Sequence, residues 1–245
     1  RQMCIRDSLI RIAAKRLWLK FTNTINTTTI NMKNRFYNAD SAFSYFLNEI
    51  RCNGIEFGDT KALFNVGFTM EQPRDMFILN REREWNREYA EAEWQWYLSG
   101  DRNIHKLGDL YGKVPPIWTR MADEDGNVNS NYGWQWNRNN QLEKVIDKLS
   151  NPNTRQAAIS IYDGKEIHAY DNDTPCTYAV QFTIMPKTRK LNMAVVMRSN
   201  DLWFGFCNDQ YCFANLQMLV AYELGIDVGE YYHYAHNLHL YNNKL

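Results

Sequence analysis

Apolar positions recur along this chain in two periods, and the switches between them mark out its elements. Between Asp40 and Cys52, residues Ala42, Phe43, Phe46, Leu47 and Ile50 fall at helical spacing, and Gly54 closes the run. Lys61–Thr69 reads as a strand, with Gly58 and Asp59 marking the turn before it. Glu82–Leu98 is the longest helical candidate, rich in aromatics and ended by Gly100. Tyr111–Asn131 reads as loop, carrying Pro115-Pro116 and Asp125-Gly126. Gln141–Leu149 is a short helix stopped by Asn151-Pro152, and three strand-like runs follow at Arg155–Tyr162, Thr177–Met185 and Leu191–Met197. Gln210–Leu224 is an apolar helix bounded by Gly225, after which Val228–Tyr241 returns to β character, dense in Tyr and His. Helices and strands intermix with no repeating βα unit and no internal repeat. That order predicts an α/β fold of the α+β type, a layered sandwich and not a barrel or a Rossmann domain.

Composition narrows the partners. The chain has 245 residues, enough for one large domain with a real core. Its 28 basic and 28 acidic residues cancel, so no global field favours a nucleic-acid polymer. A base could still be bound as a mononucleotide in a pocket. Aromatic residues make up 14% of the chain, which suits an α/β enzyme and argues against disorder. The five cysteines (4, 52, 176, 207 and 212) are odd in number and lack CxxC spacing. This argues against a disulfide framework and a zinc ribbon, and for a reducing compartment such as the cytoplasm. No apolar run approaches membrane-spanning length.

Residues 1–31 differ from the rest. Their only acid is Asp7, and a Thr/Asn-rich stretch fills 22–31. Leu9–Leu19 is interrupted by Arg11, Lys15 and Arg16, so it lacks the apolar region of a signal peptide. An Arg-rich transit peptide is one reading. The favoured one is an unstructured or non-native extension before a natural start at Met32, with residues 32–245 forming the domain and its C-terminus cut short.

Chemistry concentrates late in the chain. Cys52, Cys207 and Cys212 read as structural, but Cys176 lies in Pro175-Cys176-Thr177, and Arg198-Ser199-Asn200-Asp201 follows 22 residues later with Gly205 and Asp209. A cysteine nucleophile needs a lowered pKa, most simply from a nearby cation. Arg198 could supply that field if strands 177–185 and 191–197 are neighbours. These residues, with Gln181-Phe182 and His239-Leu240-Tyr241, resemble motifs of the thymidylate synthases and their phage relatives, the deoxycytidylate hydroxymethylases. Upstream landmarks keep the same order. They are Glu93, Trp96, Tyr97, Leu98, Gly100 and Asp101; then Ile117-Trp118 and Ala122-Asp123-Glu124-Asp125-Gly126; then Tyr132-Gly133 and Gln135-Trp136. The resemblance covers roughly residues 40–245.

The resemblance implies the thymidylate synthase fold around a twisted mixed β-sheet, a homodimer formed through the sheet, and covalent catalysis on dCMP or dUMP. Cys176 would add to C6 of the base, so that C5 attacks the one-carbon unit of 5,10-methylenetetrahydrofolate, with no metal. Glu93 would hold a water network for proton transfer, and Tyr132 completes the catalytic set. Arg198 and Ser199 would bind the 5′-phosphate, Arg155 would reach the partner's phosphate, and His239 and Tyr241 would bind the deoxyribose hydroxyl. Asp201 would anchor the pterin, with Trp118 packed beside the folate. The host would be a bacterial cytoplasm if the chain is phage-encoded.

Position 209 bears on the choice of base. The synthases carry asparagine there, whose amide can accept from N3–H of uracil and donate to O4. A carboxylate meets O4 acceptor to acceptor, but accepts from cytosine's 4-amino group and, when sharing a proton, also satisfies N3. A mispaired buried polar edge costs about 1–3 kcal/mol, so Asp209 points to cytosine. Thr177, Asn129-Ser130-Asn131 and Phe204-Gly205-Phe206 also resemble the hydroxymethylases, in which water and not hydride captures the methylene carbon.

Several positions depart from the family. Only Arg155 remains of an arginine pair, Phe57 stands where a mobile phosphate-binding arginine is expected with only Lys61 near, and Met121 replaces a second tryptophan of the folate loop. The C-terminal closing segment is absent from the sequence. The alternatives are a synthase acting on dUMP, and a nucleotide- or RNA-binding relative without turnover. Metal binding by His233, His236 and His239 is improbable, because on a strand His236 faces away from the other two.

Overall fold

The computed structural model describes residues 33–245, so the expectations for residues 1–31 and for a start at Met32 lie outside it. In chain order the strands are β1 (Arg35–Phe36), β2 (Ile55–Phe57), β3 (Thr60–Met70), β4 (Ala158–Ser160), β5 (Thr177–Ile184), β6 (Leu191–Met197), β7 (Asn200–Asp201) and β8 (Val228–Tyr241). They form one mixed sheet ordered β1-β3-β8-β6-β5-β4, with β2 beside β3 and β7 beside β8. β8 runs antiparallel to β3 and parallel to β6 and β7, and β5 is antiparallel to β6.

Strands β6 and β8 alternate as a half-covered sheet should. Leu191, Met193, Val195 and Met197 are buried with Tyr231, His233 and Ala235, while Asn192, Ala194 and Tyr232 look outward. Two helices cover the inner face. The first, α1 (Ala39–Asn53), buries Phe43, Phe46 and Ile50, each worth about 2 kcal/mol of transfer free energy. Asn38 caps it by accepting from Ser41 N. The second, Cys207–Glu223, is apolar around most of its circumference, and its buried Gln217 donates Nε2 to Leu191 O (2.8 Å) and Glu230 O (3.1 Å).

The middle of the chain supplies a helical layer beside the sheet: α2 (Arg87–Ser99), α3 (Ile104–Tyr111), α4 (Pro116–Met121), α5 (Tyr132–Asn137) and α6 (Gln141–Leu149), with Cys207–Glu223 as α7. Helix α2 begins at Arg87 and not at Glu82, because the Asn86 side chain accepts from Tyr89 N and fixes the first turn there. It is also shorter than α7, contrary to its expected rank. The expected loop 111–131 contains α4, and the strand expected over 155–162 shrinks to Ala158–Ser160. α5 packs so closely on α2 that a Cβ on Gly133 would lie 1.7 Å from Tyr97 O.

Candidate active site

The chain from β6 to β7 builds the centre of the candidate site. Both segments run parallel along β8, Met197 opposite Ala235 and Asn200 opposite Leu238. Arg198 and Ser199 lie in the break between them. The last residue of β6, Met197, pairs with Thr177 of β5, so Cys176 falls beside Arg198 as the sequence predicts. Arg198 N donates to Cys176 O (2.8 Å), Nε to Pro175 O (3.0 Å) and Nη2 to Thr174 O (2.7 Å), and Nη2 stands 3.7 Å from the Cys176 sulfur. The thiol is nevertheless not lowered. Burial pushes it up to about 11 against the pull of Arg198, and Asp209, Asp173 and Asp201 push the same way. The expected activation therefore differs from the balance found: Arg198 spends N–H groups on backbone carbonyls while three acids face the sulfur. Cys176 remains half-buried.

Glu93, on α2, is buried, and its Oε1 accepts from Tyr89 (3.1 Å) and Tyr97 (3.4 Å). Desolvation raises its pKa to about 7 despite these two donors. Trp118 Nε1 donates to Tyr89 Oη (2.8 Å), and its ring meets Trp96 edge-on at 5.1 Å. Trp118 is thus tied to the Glu93 cluster and buried. Tyr132 is buried near both Asp209 and Cys176; desolvation, then those two groups, holds its phenol well above the ordinary value.

Asp209 sits on the first turn of α7. Its Oδ2 accepts from Asn200 Nδ2 (2.8 Å), and desolvation, then Glu93, holds its carboxyl well above the ordinary range. The residue as a whole is half-buried. Gly205 closes over this pair: a Cβ there would lie 3.1 Å from Asn200 Nδ2 and 3.3 Å from Asp209 Oδ2. Behind Asn200 stands His233, its Nε2 3.0 Å from Asn200 Oδ1 and its Nδ1 3.2 Å from Tyr231 Oη.

The rim carries the remaining candidates. His239 pairs in register with Asp201, and its ring stands 5.4 Å from the exposed Tyr241. Burial lowers the His239 pKa and raises that of Asp201 to about 6; Asp201 Oδ1 accepts from Trp203 N (2.8 Å). Arg83 and Lys244 flank the exposed Phe204 ring, each 5.5 Å from its centroid. Ser199 is half-buried beside Arg198. Arg155 is exposed. Phe57 is exposed on the β2–β3 hairpin, and Lys61 is committed to Arg51 O (2.6 Å). His233 and His239 are buried while His236 is exposed, as strand alternation expects. Among the described residues no cluster of His, Cys, Asp or Glu is arranged to hold a metal, and no helix is long and apolar enough to cross a membrane.

The residues that support this centre carry no supporting role in the sequence-based expectations. Tyr89 and Tyr97 lie one helical turn either side of Glu93, a spacing visible in the sequence. Asn200 stands inside the Arg198–Asp201 motif without a role of its own, and the sequence pattern offers His233 only as a metal ligand. Its link to Asn200 needs the β6–β7–β8 register, which no local pattern carries.

The sequence model of the family described as "Thymidylate synthase" matches residues 48–245. The chain is also similar to the deoxycytidylate 5-hydroxymethyltransferases of Enterobacteria phages T4, T2 and T6. Each is 38% identical over 133 residues, which is 51% of this chain and 52% of the relative. The chain thus spans about half the length of the curated relatives it matches.

Proposed function

The chain belongs to the thymidylate synthase family, and from that premise we propose that it hydroxymethylates C5 of a pyrimidine deoxynucleotide, converting dCMP to 5-hydroxymethyl-dCMP. The observation that carries the choice of cytosine is Asp209, held by Asn200 with its carboxyl driven toward the neutral form. A neutral carboxyl offers one donor and one acceptor, which suit cytosine's N3 and 4-amino group. The Cys176 thiol first releases its proton to solvent; as the thiolate sulfur bonds to C6, the C5=C6 pair moves to form C4=C5. The C4=N3 pair then moves to N3, which takes the Asp209 proton. This makes C5 nucleophilic without leaving charge on the ring. Arg198 favours the attacking thiolate at 3.7 Å.

The co-substrate, 5,10-methylenetetrahydrofolate, supplies the one-carbon unit when bound. The half-buried Asp201, the exposed Phe204 face and the cations Arg83 and Lys244 suit a flat heteroaromatic with a carboxylate tail. Trp118 would border it through the Tyr89–Glu93 cluster. Glu93, with a pKa near 7, is matched to proton transfer at C5, and Tyr132 lines the same space. Ser199 and the free edge of Arg198 would hold the 5′-phosphate, and His239 and Tyr241 the sugar hydroxyl. The outward sheet face, with Tyr178 and Tyr232 about 40% exposed, supports a homodimer in which Arg155 reaches the partner's phosphate.

Exchanging Asp209 for Asn tests this reading. The kcat/KM ratio of dCMP to dUMP is expected to fall at least tenfold; an unchanged dCMP preference contradicts it. A second reading, a synthase acting on dUMP, is favoured by the same neutral carboxyl. With donor and acceptor oxygens exchanged it would meet O4 and N3–H of uracil.

A further inference from the structure

Which oxygen of Asp209 donates is a property of the residues behind it. Asn200 lies against Asp209 on one side and His233 on the other, with Tyr231 beyond. Asn200, His233 and Tyr231 are all at most 2% exposed, and Phe68 and Phe206 pack on the imidazole with ring centroids 5.2 and 5.3 Å away. No water-filled surface is at hand to satisfy a misdirected group, so their hydrogen bonds must satisfy one another. Asn200 sets its amide nitrogen against Asp209 Oδ2 (2.8 Å). Its carbonyl Oδ1 then faces His233 and needs a donor in turn, which puts the imidazole proton on Nε2. The bare Nδ1 can only accept, and the Tyr231 hydroxyl supplies that proton. With the amide nitrogen on Asp209, each group is used once and the chain runs from Tyr231 to His233 to Asn200 to Asp209.

We infer that Tyr231, His233 and Asn200 are positioning residues that fix the hydrogen-bonding polarity of Asp209 and thereby set base specificity. With Oδ2 held as an acceptor, an acid proton resides on Oδ1. A donor at Oδ1 and a remaining lone pair on Oδ2 match cytosine when Oδ1 meets N3, and mismatch uracil at both atoms. Reversal of the chain would spend that proton on the Asn200 carbonyl and leave only acceptors facing the base, so N3 of cytosine would lose its donor while N3–H of uracil would find an acceptor. Gly205 takes part by absence, since a Cβ would press on both Asn200 Nδ2 and Asp209 Oδ2. The inference rests on the proposed nucleotide site but names its discriminating element.

The test measures Kd for dCMP and for dUMP on the full chain and three variants. In His233→Phe the Asn200 carbonyl loses its donor and the amide can turn over, so the ratio of the two affinities is expected to shift toward dUMP about tenfold. His233→Gln, whose amide nitrogen can replace Nε2–H, is expected to restore it, and Tyr231→Phe to shift it less. A folded His233→Phe protein with an unchanged ratio overturns the inference, even when both affinities fall together. The histidine tautomer, read from 15N shifts of the unliganded protein, needs no nucleotide and covers a variant that does not fold. A proton on Nε2 is expected, and a proton on Nδ1 overturns the chain. If the unaltered protein prefers dUMP, the cytosine reading fails, while the change of ratio on substitution still judges the polarity chain.

Discussion

Glu93 shows how one buried side chain can set both chemistry and stability. Its folded pKa of about 7 stands above the 4.5 of an exposed glutamate because burial penalises the charged form more than Tyr89 and Tyr97 favour it. The sign follows: the native state holds the extra proton, so this contribution is fully present below about 4.5 and is lost as pH rises to 7. The difference is about 3 kcal/mol. Glu93→Gln, which stays neutral, is therefore expected to gain stability relative to the parent between pH 5 and pH 8 in thermal unfolding. Parallel stability curves would contradict a buried ionising Glu93. Tyr89→Phe removes a donor to the carboxylate, so the pH–rate limb assigned to Glu93 is expected to move upward. It also strips Trp118 Nε1 of its acceptor. A limb that stays put, or moves down, would mean that Glu93 is not the titrating group.

At the scale of elements, close packing around two glycines separates folding from function. Gly133→Ala would drive a Cβ to 1.7 Å from a backbone oxygen of α2 and is expected to destabilise the whole domain by several kcal/mol, visible as a large fall in Tm. Gly205→Ala meets side-chain atoms at 3.1 and 3.3 Å, so nucleotide affinity is expected to fall more than Tm. Equal losses in both variants would deny that Gly205 guards the Asn200–Asp209 pair. These elements also mark what the sequence made legible. α1, α6, β6 and β8 stood out because their apolar periods are clean and their ends are punctuated, by Gly54 after α1, Asn151-Pro152 after α6 and Gly225 before β8. α3 and α5 were missed because each is short, although Asn103 with Gly112, and Asn131, cap them by side chain and left-handed turn. The start of α2 was misplaced because charge at 82–84 reads as helix until Asn86 is seen to cap. In the site, Cys176 and Arg198 were brought together correctly by strand adjacency. Their thiol balance was not legible, since it depends on three carboxylates from separate segments.

For the whole molecule, the sheet has one face under helices and another that presents Tyr178, Gln181, Thr183, Asn192 and Tyr232. If that face joins two copies, Tyr232→Asp buries charge at the interface and is expected to shift sedimentation from dimer to monomer, with loss of any activity that needs Arg155 from the partner. A parent that sediments as a monomer would contradict the dimer. In the proposed reaction a neutral Asp209 directs Cys176 and a folate one-carbon unit onto cytosine. The most direct test incubates the protein with methylenetetrahydrofolate and either dCMP or dUMP and resolves the products by mass. The account predicts 5-hydroxymethyl-dCMP with no dihydrofolate; thymidylate with stoichiometric dihydrofolate from dUMP, and nothing from dCMP, would contradict it.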